Sequence, residues 1–329
     1  MKKILVIQTA FIGDVVLATG IIEKLHAYFP EAQIDFMLRK GNEGLLARHP
    51  FLHEVLIWDK KNEKLRNLFR MGKKIRKSRY DTVINVQRFA ATGLLTIFSG
   101  ASETIGFDKN PLSRWFTRRI PHVVSTSEAP LHEIDRNQEL IRHLTDGEPA
   151  RPRLYPSAAD YEQVEGYKKA PYITISPASV WFTKQYPREK WVSFIRKLPG
   201  APAVYLLGGP GDKELCQYIG GETGAVDLSG QFSFLQSAAL MRDAIMNYTN
   251  DSAPMHFASA LNAPVTAVYC STIPAFGFGP LSDKRYVVEV EEALTCRPCG
   301  LHGYRACPLG HFHCAHHIRD EQLLSTLGG

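Results

Sequence analysis

Apolar and polar positions alternate between short apolar runs and longer stretches of helical spacing. KILVIQT (3–9) has the length and composition of a buried strand. DVVLATGIIEKLHAYFP then repeats apolar residues at the period of a helix. AQIDFMLR, EVLIWD and DTVINVQ read as further strands, and GNEGLLARHP as a helix-like segment between the first two. The pattern restarts after RPRLYPSAADY, a Pro-rich stretch that reads as a linker. Beyond it PYITISP, APAVYLLGG, AVDLSG, AIMNYTND and APVTAVYC are strands, while EKWVSFIRKL, GDKELCQYI and MHFASALN are helices. Such alternation predicts an α/β fold of two domains, 1–155 and 156–329, each a parallel sheet with helices on both faces. Two such halves usually place a site in the cleft between them.

Composition narrows the class. At 329 residues, with 44% hydrophobic and 22% charged residues, the chain reads as an ordinary soluble globular protein. No apolar run approaches the ~20 residues of a spanning helix, and the first residues lack a signal-peptide pattern. A cytoplasmic protein is expected. The net charge of +6 is concentrated: Lys60 to Arg79 holds ten Lys or Arg against one acid, Glu63. Leu65, Leu68, Phe69 and Ile75 recur beneath those charges at near-helical spacing, the pattern of an amphipathic helix. The run reads either as a solvated face or as a docking surface for an anionic substrate or membrane. No nucleic-acid-binding module accompanies it.

Four stretches fall at carboxyl ends of predicted strands, where open α/β sheets bind ligands. AFIGDVV (10–16) has one glycine and an acid, Asp14, where a dinucleotide-binding turn would carry several glycines. SPASVWFTKQYPREKW offers Ser179 and Lys184, and LLGGPGDKE offers Gly209 and Asp212. In TNDSAPMHFASAL, Asp251 or Ser252 can cap a helix whose N-terminus suits a phosphate. Each has a plainer reading: a helix N-terminal acid, a surface lysine, an ordinary turn, a core histidine at His256. Near the C-terminus CRPCGLHGYRACPLGHFHC places Cys296, Cys299, Cys307 and Cys314 at spacings that could hold zinc or could simply pack as reduced thiols.

Taken together, these stretches resemble glycosyltransferase family 9, the bacterial heptosyltransferases of the lipopolysaccharide inner core. The markers are IGDVVLATG, INVQRFAATGLL with IGF at 105–107, TKQYPREKW, LGGPGD, SGQFS and TNDSAPMHFASALNAPVTAVYCST. CRPC with CPLGH and a last cysteine is similar to the tail of the heptosyltransferase II branch.

The resemblance implies a GT-B fold, two Rossmann-like domains facing across a cleft, with the acceptor on the first domain and the nucleotide-sugar donor on the second. It leaves open that the C-terminal segment packs back on the first domain. It implies an inverting, metal-independent transfer of heptose from ADP-heptose, with no cofactor. Asp14 matches the general base and Lys184 the lysine on the donor phosphates. Ser179, Gly209, Asp212, Phe232, Asp251, Ser252, Ala253 and His256 fall in the donor-binding stretches. Lys60, Lys61, Lys64 and Arg88 fall where the anionic acceptor binds. The family usually carries Gly at the position of Ala253. An acceptor carried on a membrane lipid implies peripheral contact with the cytoplasmic face of the inner membrane, and no nucleic-acid partner. Transfer of another nucleotide sugar to a surface glycan, or binding without turnover, remain the alternative readings.

Overall fold

The computed structural model describes residues 2–126 and 128–328. It divides into two compact units. One runs to Ser125 and again over Leu131–Tyr155, and the other takes up the chain from Pro156.

The first unit is a six-stranded parallel sheet. β1 (Lys3–Ile7), β2 (Gln33–Arg39), β3 (Glu54–Trp58), β4 (Thr82–Asn85), β5 (Glu103–Phe107) and β6 (Arg118–Ile120) lie in the order β3-β2-β1-β4-β5-β6. Strands covered on both faces are continuous apolar runs, and Ile4–Ile7 and Thr82–Asn85 are buried throughout. The helices are α1 (Ile12–Tyr28), α2 (Lys64–Ser78), α3 (Ala90–Ile97) and α4 (Glu133–Glu139). In α1 every residue from Val15 to Ile22 is buried, which accounts for its scarcity of charge. α2 is amphipathic as the spacing predicts, with Met71 and Ile75 buried in the core that also holds Leu5, Leu56 and Val83. The stretch GNEGLLARHP forms only a single short turn, Glu43–Leu45, entered through Gly41 at φ +99°. β5 and β6 were not among the expected strands; β6 is short, and Arg118 and Arg119 are exposed.

The second unit repeats the plan. α5 (Ala158–Val164) leads into β7 (Tyr172–Ser176), and the sheet continues with β8 (Ala203–Leu206), β9 (Val226–Asp227), β10 (Met246–Asn250), β11 (Val265–Tyr269) and β12 (Arg285–Glu289). Their order is β12-β11-β10-β7-β8-β9, again all parallel. Between them run α6 (Arg188–Arg196), α7 (Lys213–Thr223), α8 (Phe234–Arg242) and α9 (Ala253–Ala260), with α10 (His313–His316) and α11 (Asp320–Leu324) at the end. The C-terminal segment contributes to the core of the second unit. Phe312, Cys314, Ala315, Ile318 and Leu323 pack into the second unit's own core with Ile173, Trp191 and Tyr248.

Numbered within its own unit, each sheet has the order 3-2-1-4-5-6. The strand order therefore reverses between β1 and β4 in one unit and between β7 and β10 in the other. At such a point the loops leaving two neighbouring strands diverge to opposite faces and leave a crevice at the carboxyl edge.

Candidate active site

In the first unit the crevice is built by the β1–α1 turn and the loop after β4. Asp14 is the third residue of α1, and its carboxylate accepts the N–H of Phe11 at 3.1 Å. The turn is held from beneath by a polar chain. Gln87 donates to Gln8 Oε1, the same oxygen accepts the N–H of Ala10 at 3.2 Å, and Asn110 Nδ2 donates to the Gln87 carbonyl at 2.9 Å. These partners fix a helix start that has no glycine-rich loop.

Half-buried, the Asp14 carboxyl is pushed up to about 6 by the loss of water around it and then by the negative charge of Glu133; Arg39 pulls the other way. Glu133, the first residue of α4, is also raised by burial, against Arg136, which pairs with it directly, and Arg88. Arg88 thus reaches the same charge cluster as Asp14 from the loop after β4. Lys60 joins from the β3 side, its ammonium donating to the Thr9 carbonyl at 2.8 Å and to Thr9 Oγ1 at 2.7 Å. Burial, with Arg39 and Lys64 nearby, lowers it to about 8. Lys61 and Lys64 are exposed at the rim.

In the second unit the crevice lies between the loops after β7 and β10. Lys184 Nζ lies 2.6 Å from Asp251 Oδ2, and that same oxygen accepts the hydroxyl of Thr272 at 2.6 Å. Asn250, one residue earlier, ties the two loops together, accepting the N–H of Tyr186 at 2.9 Å and donating to the Pro177 carbonyl at 2.7 Å. Ser252 precedes α9 in extended backbone, and its hydroxyl turns to the Asn250 carbonyl without capping the helix. The first-turn N–H groups of a helix lack partners within it and so face outward. Ala253 begins α9 outside the left-handed region, so the position does not demand glycine for its conformation. His256 is buried on the same helix.

The remaining expected donor residues stand on the same carboxyl edge with different neighbours. Ser179 contributes its carbonyl to Gln185 Nε2 at 2.7 Å. Asp212 is occupied in its own turn, accepting the N–H of Gly209 at 2.7 Å. Phe232, after β9, packs edge-on against Tyr167 at 5.6 Å between ring centres.

The C-terminal cysteine loop serves this site by packing. Thr183 Oγ1 accepts from the N–H of Tyr304 at 2.7 Å and from Ser271 Oγ at 2.9 Å, fixing the residue before Lys184. Arg297 bonds the carbonyls of Cys270 (2.8 Å) and Thr272 (2.7 Å), steadying the strand end that holds Asp251. Cys296, Cys299 and Cys307 lie near enough to Cys314 for their charge to act on its thiol, though no three of these four thiols come within 4.8 Å of one another. Among the described residues the only group with three potential ligand atoms within 4.8 Å of one another is Glu292, His313 and His317. Cys314 is buried in the core, where loss of water pushes its thiol up to about 12. Arg39, Glu133, Thr183, Thr272 and Asn250 went unnoticed in the sequence, although Thr183, Asn250 and Thr272 stood in stretches already singled out.

With this geometry in hand, comparison identifies the class. The sequence profile of glycosyltransferase family 9 (heptosyltransferase) matches residues 68–303. Lipopolysaccharide heptosyltransferase 1 of Pseudomonas aeruginosa is 23% identical over 90% of this chain and 86% of its own length. Lipopolysaccharide heptosyltransferase 2 of Escherichia coli is 25% identical over 88% of each. Among solved structures, E. coli ADP-heptose lipopolysaccharide heptosyltransferase II superposes with a TM-score of 0.81 at 23% identity, over 100% of this chain and 98% of that one. A family 9 glycosyl transferase of Veillonella parvula gives 0.85 at 21% identity, over 99% and 96%. The fold is thus of the GT-B class, α/β, with two Rossmann-like units. The chain belongs to glycosyltransferase family 9 and is a glycosyltransferase. The matched span takes in the whole Lys184–Asp251 crevice, whereas Asp14 and Lys60 lie before it.

Two outcomes follow. A Cβ at Gly303 (φ +74°) would sit 2.9 Å from Thr183 Oγ1 and 3.0 Å from Lys184 Cγ. Gly303→Ala is expected to destabilise the protein by about 1–3 kcal/mol, measured by denaturant unfolding. Asp14 holds its proton more tightly folded than unfolded, so between about pH 4 and 6 its contribution to stability falls as pH rises. Asp14→Asn should therefore be more stable than the wild type by roughly 1–2 kcal/mol at pH 7.5. That gain should vanish below pH 4; an equal difference at both pH values would contradict the origin given for the shift.

Proposed function

We propose that the protein transfers heptose from ADP-heptose to an inner-core sugar of lipopolysaccharide, with inversion at the anomeric carbon. The observation that carries the reading is the Asp14 carboxyl, half-buried at the strand-order reversal and raised to about 6. An ordinary aspartate is a weak base; one near 6 is still ionised at pH 7.5 yet much better matched to removing a proton from a sugar hydroxyl. Asp14 takes the proton of the acceptor hydroxyl as its oxygen bonds to the anomeric carbon. The bond from that carbon to the diphosphate breaks in the same displacement, and ADP leaves with the electron pair.

Lys60, Lys61, Lys64 and Arg88 hold the anionic acceptor by charge. Arg88, close to Glu133, and Lys60, on Thr9, bracket the turn that carries Asp14. In the second unit the charge growing on the departing diphosphate falls to Lys184 and the N-terminus of α9. Asp251 and Thr272 aim the ammonium, which keeps two further N–H groups for phosphate oxygens. Ser252, Ala253 and His256 carry the helix start, while Phe232 offers an aromatic face to the adenine. This assignment routes no step through a metal, so transfer should persist undiminished in EDTA.

The test is incubation with ADP-heptose and a core lipid truncated before its heptoses, following ADP release and sugar transfer. Asp14→Asn should lower kcat by about 10²–10⁴-fold with donor binding retained, whereas Lys184→Ala should weaken donor binding as well as turnover. A response to UDP-sugars and none to ADP-sugars would favour another donor. The pH profile of kcat/KM should rise through about 6 as Asp14 ionises and fall through about 8 as Lys60 loses its charge. Lys60→Gln should remove the alkaline limb and leave the acid one.

A further inference from the structure

The surface of α2 carries more than the acceptor reading uses. At 100° per residue the helix presents three stripes. Leu68, Met71 and Ile75 point into the core, with Met71 and Ile75 buried. Arg66, Arg70, Lys73 and Lys77 form a basic stripe on the outside. Beside it Leu65 and Phe69, one turn apart, are 69% and 71% exposed. Large apolar side chains this bare, on a helix so rich in charge, lower no folding free energy where they stand.

The patch continues onto α3. A Cβ added at Gly72 would lie 3.6 Å from a Leu95 methyl, and Arg76 donates to the Phe98 carbonyl at 3.3 Å, so α3 lies along the same side. There Leu94 and Phe98 are 38% and 61% exposed. The charges around the patch are mostly uncommitted. Of the ten bases from Lys60 to Arg79, Arg66 pairs with Glu63 (2.8 Å) and Lys74 with Glu54 (2.5 Å), and the others form no ion pair among the described residues. At the far end of the helix Lys3, Lys73, Arg76, Lys77 and Arg79 line one concavity, a setting for anionic headgroups. Apolar side chains flanked by a basic stripe match the interfacial zone of an anionic bilayer: the former reach below the headgroups and the latter lies among them.

We propose that the α2–α3 face docks on an anionic membrane, with Leu65 and Phe69 inserted among the lipids. The patch begins only a few residues beyond Lys60, whose ammonium is bonded in the turn that carries Asp14. A lipid-borne acceptor could then keep its chains in the bilayer while its sugars reach that turn. The inference rests on the acceptor being lipid-linked, as in the function proposed above.

The full-length protein should float with vesicles of phosphatidylcholine and phosphatidylglycerol at 7:3, and bind pure phosphatidylcholine at least tenfold less. Leu65→Ser/Phe69→Ser should lose at least tenfold in partition with an unchanged unfolding midpoint and an unchanged rate on a delipidated, water-soluble acceptor. Arg70→Glu/Lys73→Glu should lose partition too, with less dependence on salt. Wild-type protein that ignores anionic vesicles, or that binds nucleic acid in their place, overturns the docking. So does a Leu65→Ser/Phe69→Ser variant that floats like the wild type. Activity of the wild type on the soluble acceptor is scored separately, so failure of the transferase reading is told apart from failure of the docking.

Discussion

The reversal of strand order in each parallel sheet is the constraint on which the rest depends. Neighbouring parallel strands send their connections to the same face until the order reverses, and there the loops part. In the first unit the parted loops carry Asp14 and Arg88, and in the second they carry Lys184 and Asp251. Neither pair is near in sequence. The ladder registers β1 with β4 and β7 with β10 bring them to common edges, and no local propensity could do so.

The two crevices use charge differently. The first accumulates like and unlike charges around a half-buried carboxyl, so that Asp14 is kept a stronger base than its kind by lost water and by Glu133. The second pairs its charges closely, Lys184 on Asp251 and Thr272 behind, which fixes an ammonium in place without leaving it bare. The roles proposed for them, proton acceptor and diphosphate holder, need those opposite treatments. The C-terminal loop belongs to the second arrangement: Tyr304 holds the segment that bears Lys184, and Arg297 holds the segment just after β11, whose Thr272 bonds Asp251. Of its cysteines, Cys314 is part of the second unit's core and Cys307 packs against that core.

Much of the fold was legible because strands buried on both faces are written as unbroken apolar runs, as in KILVIQT and PYITISP. The short edge strand β6 and the single turn at Glu43–Leu45 were not, since neither has enough apolar residues to set a period. Of the site, Asp14, Lys184 and Asp251 stood out as polar residues directly after such runs. Glu133 and Arg39 did not, because their influence on Asp14 acts through space and leaves no spacing to read. Asp212 shows the converse: a conspicuous acid in a glycine-rich turn that is engaged in holding the turn itself.

The central claim is that the fold makes Asp14 a base by burial and by the charge of Glu133. Titrating the side-chain carboxyl carbon of Asp14 by NMR, in the wild type and in Glu133→Gln, tests it directly. The account predicts a midpoint near 6 in the wild type and a lower one in the variant. A wild-type midpoint near the ordinary 3.8, unmoved by Glu133→Gln, would contradict it.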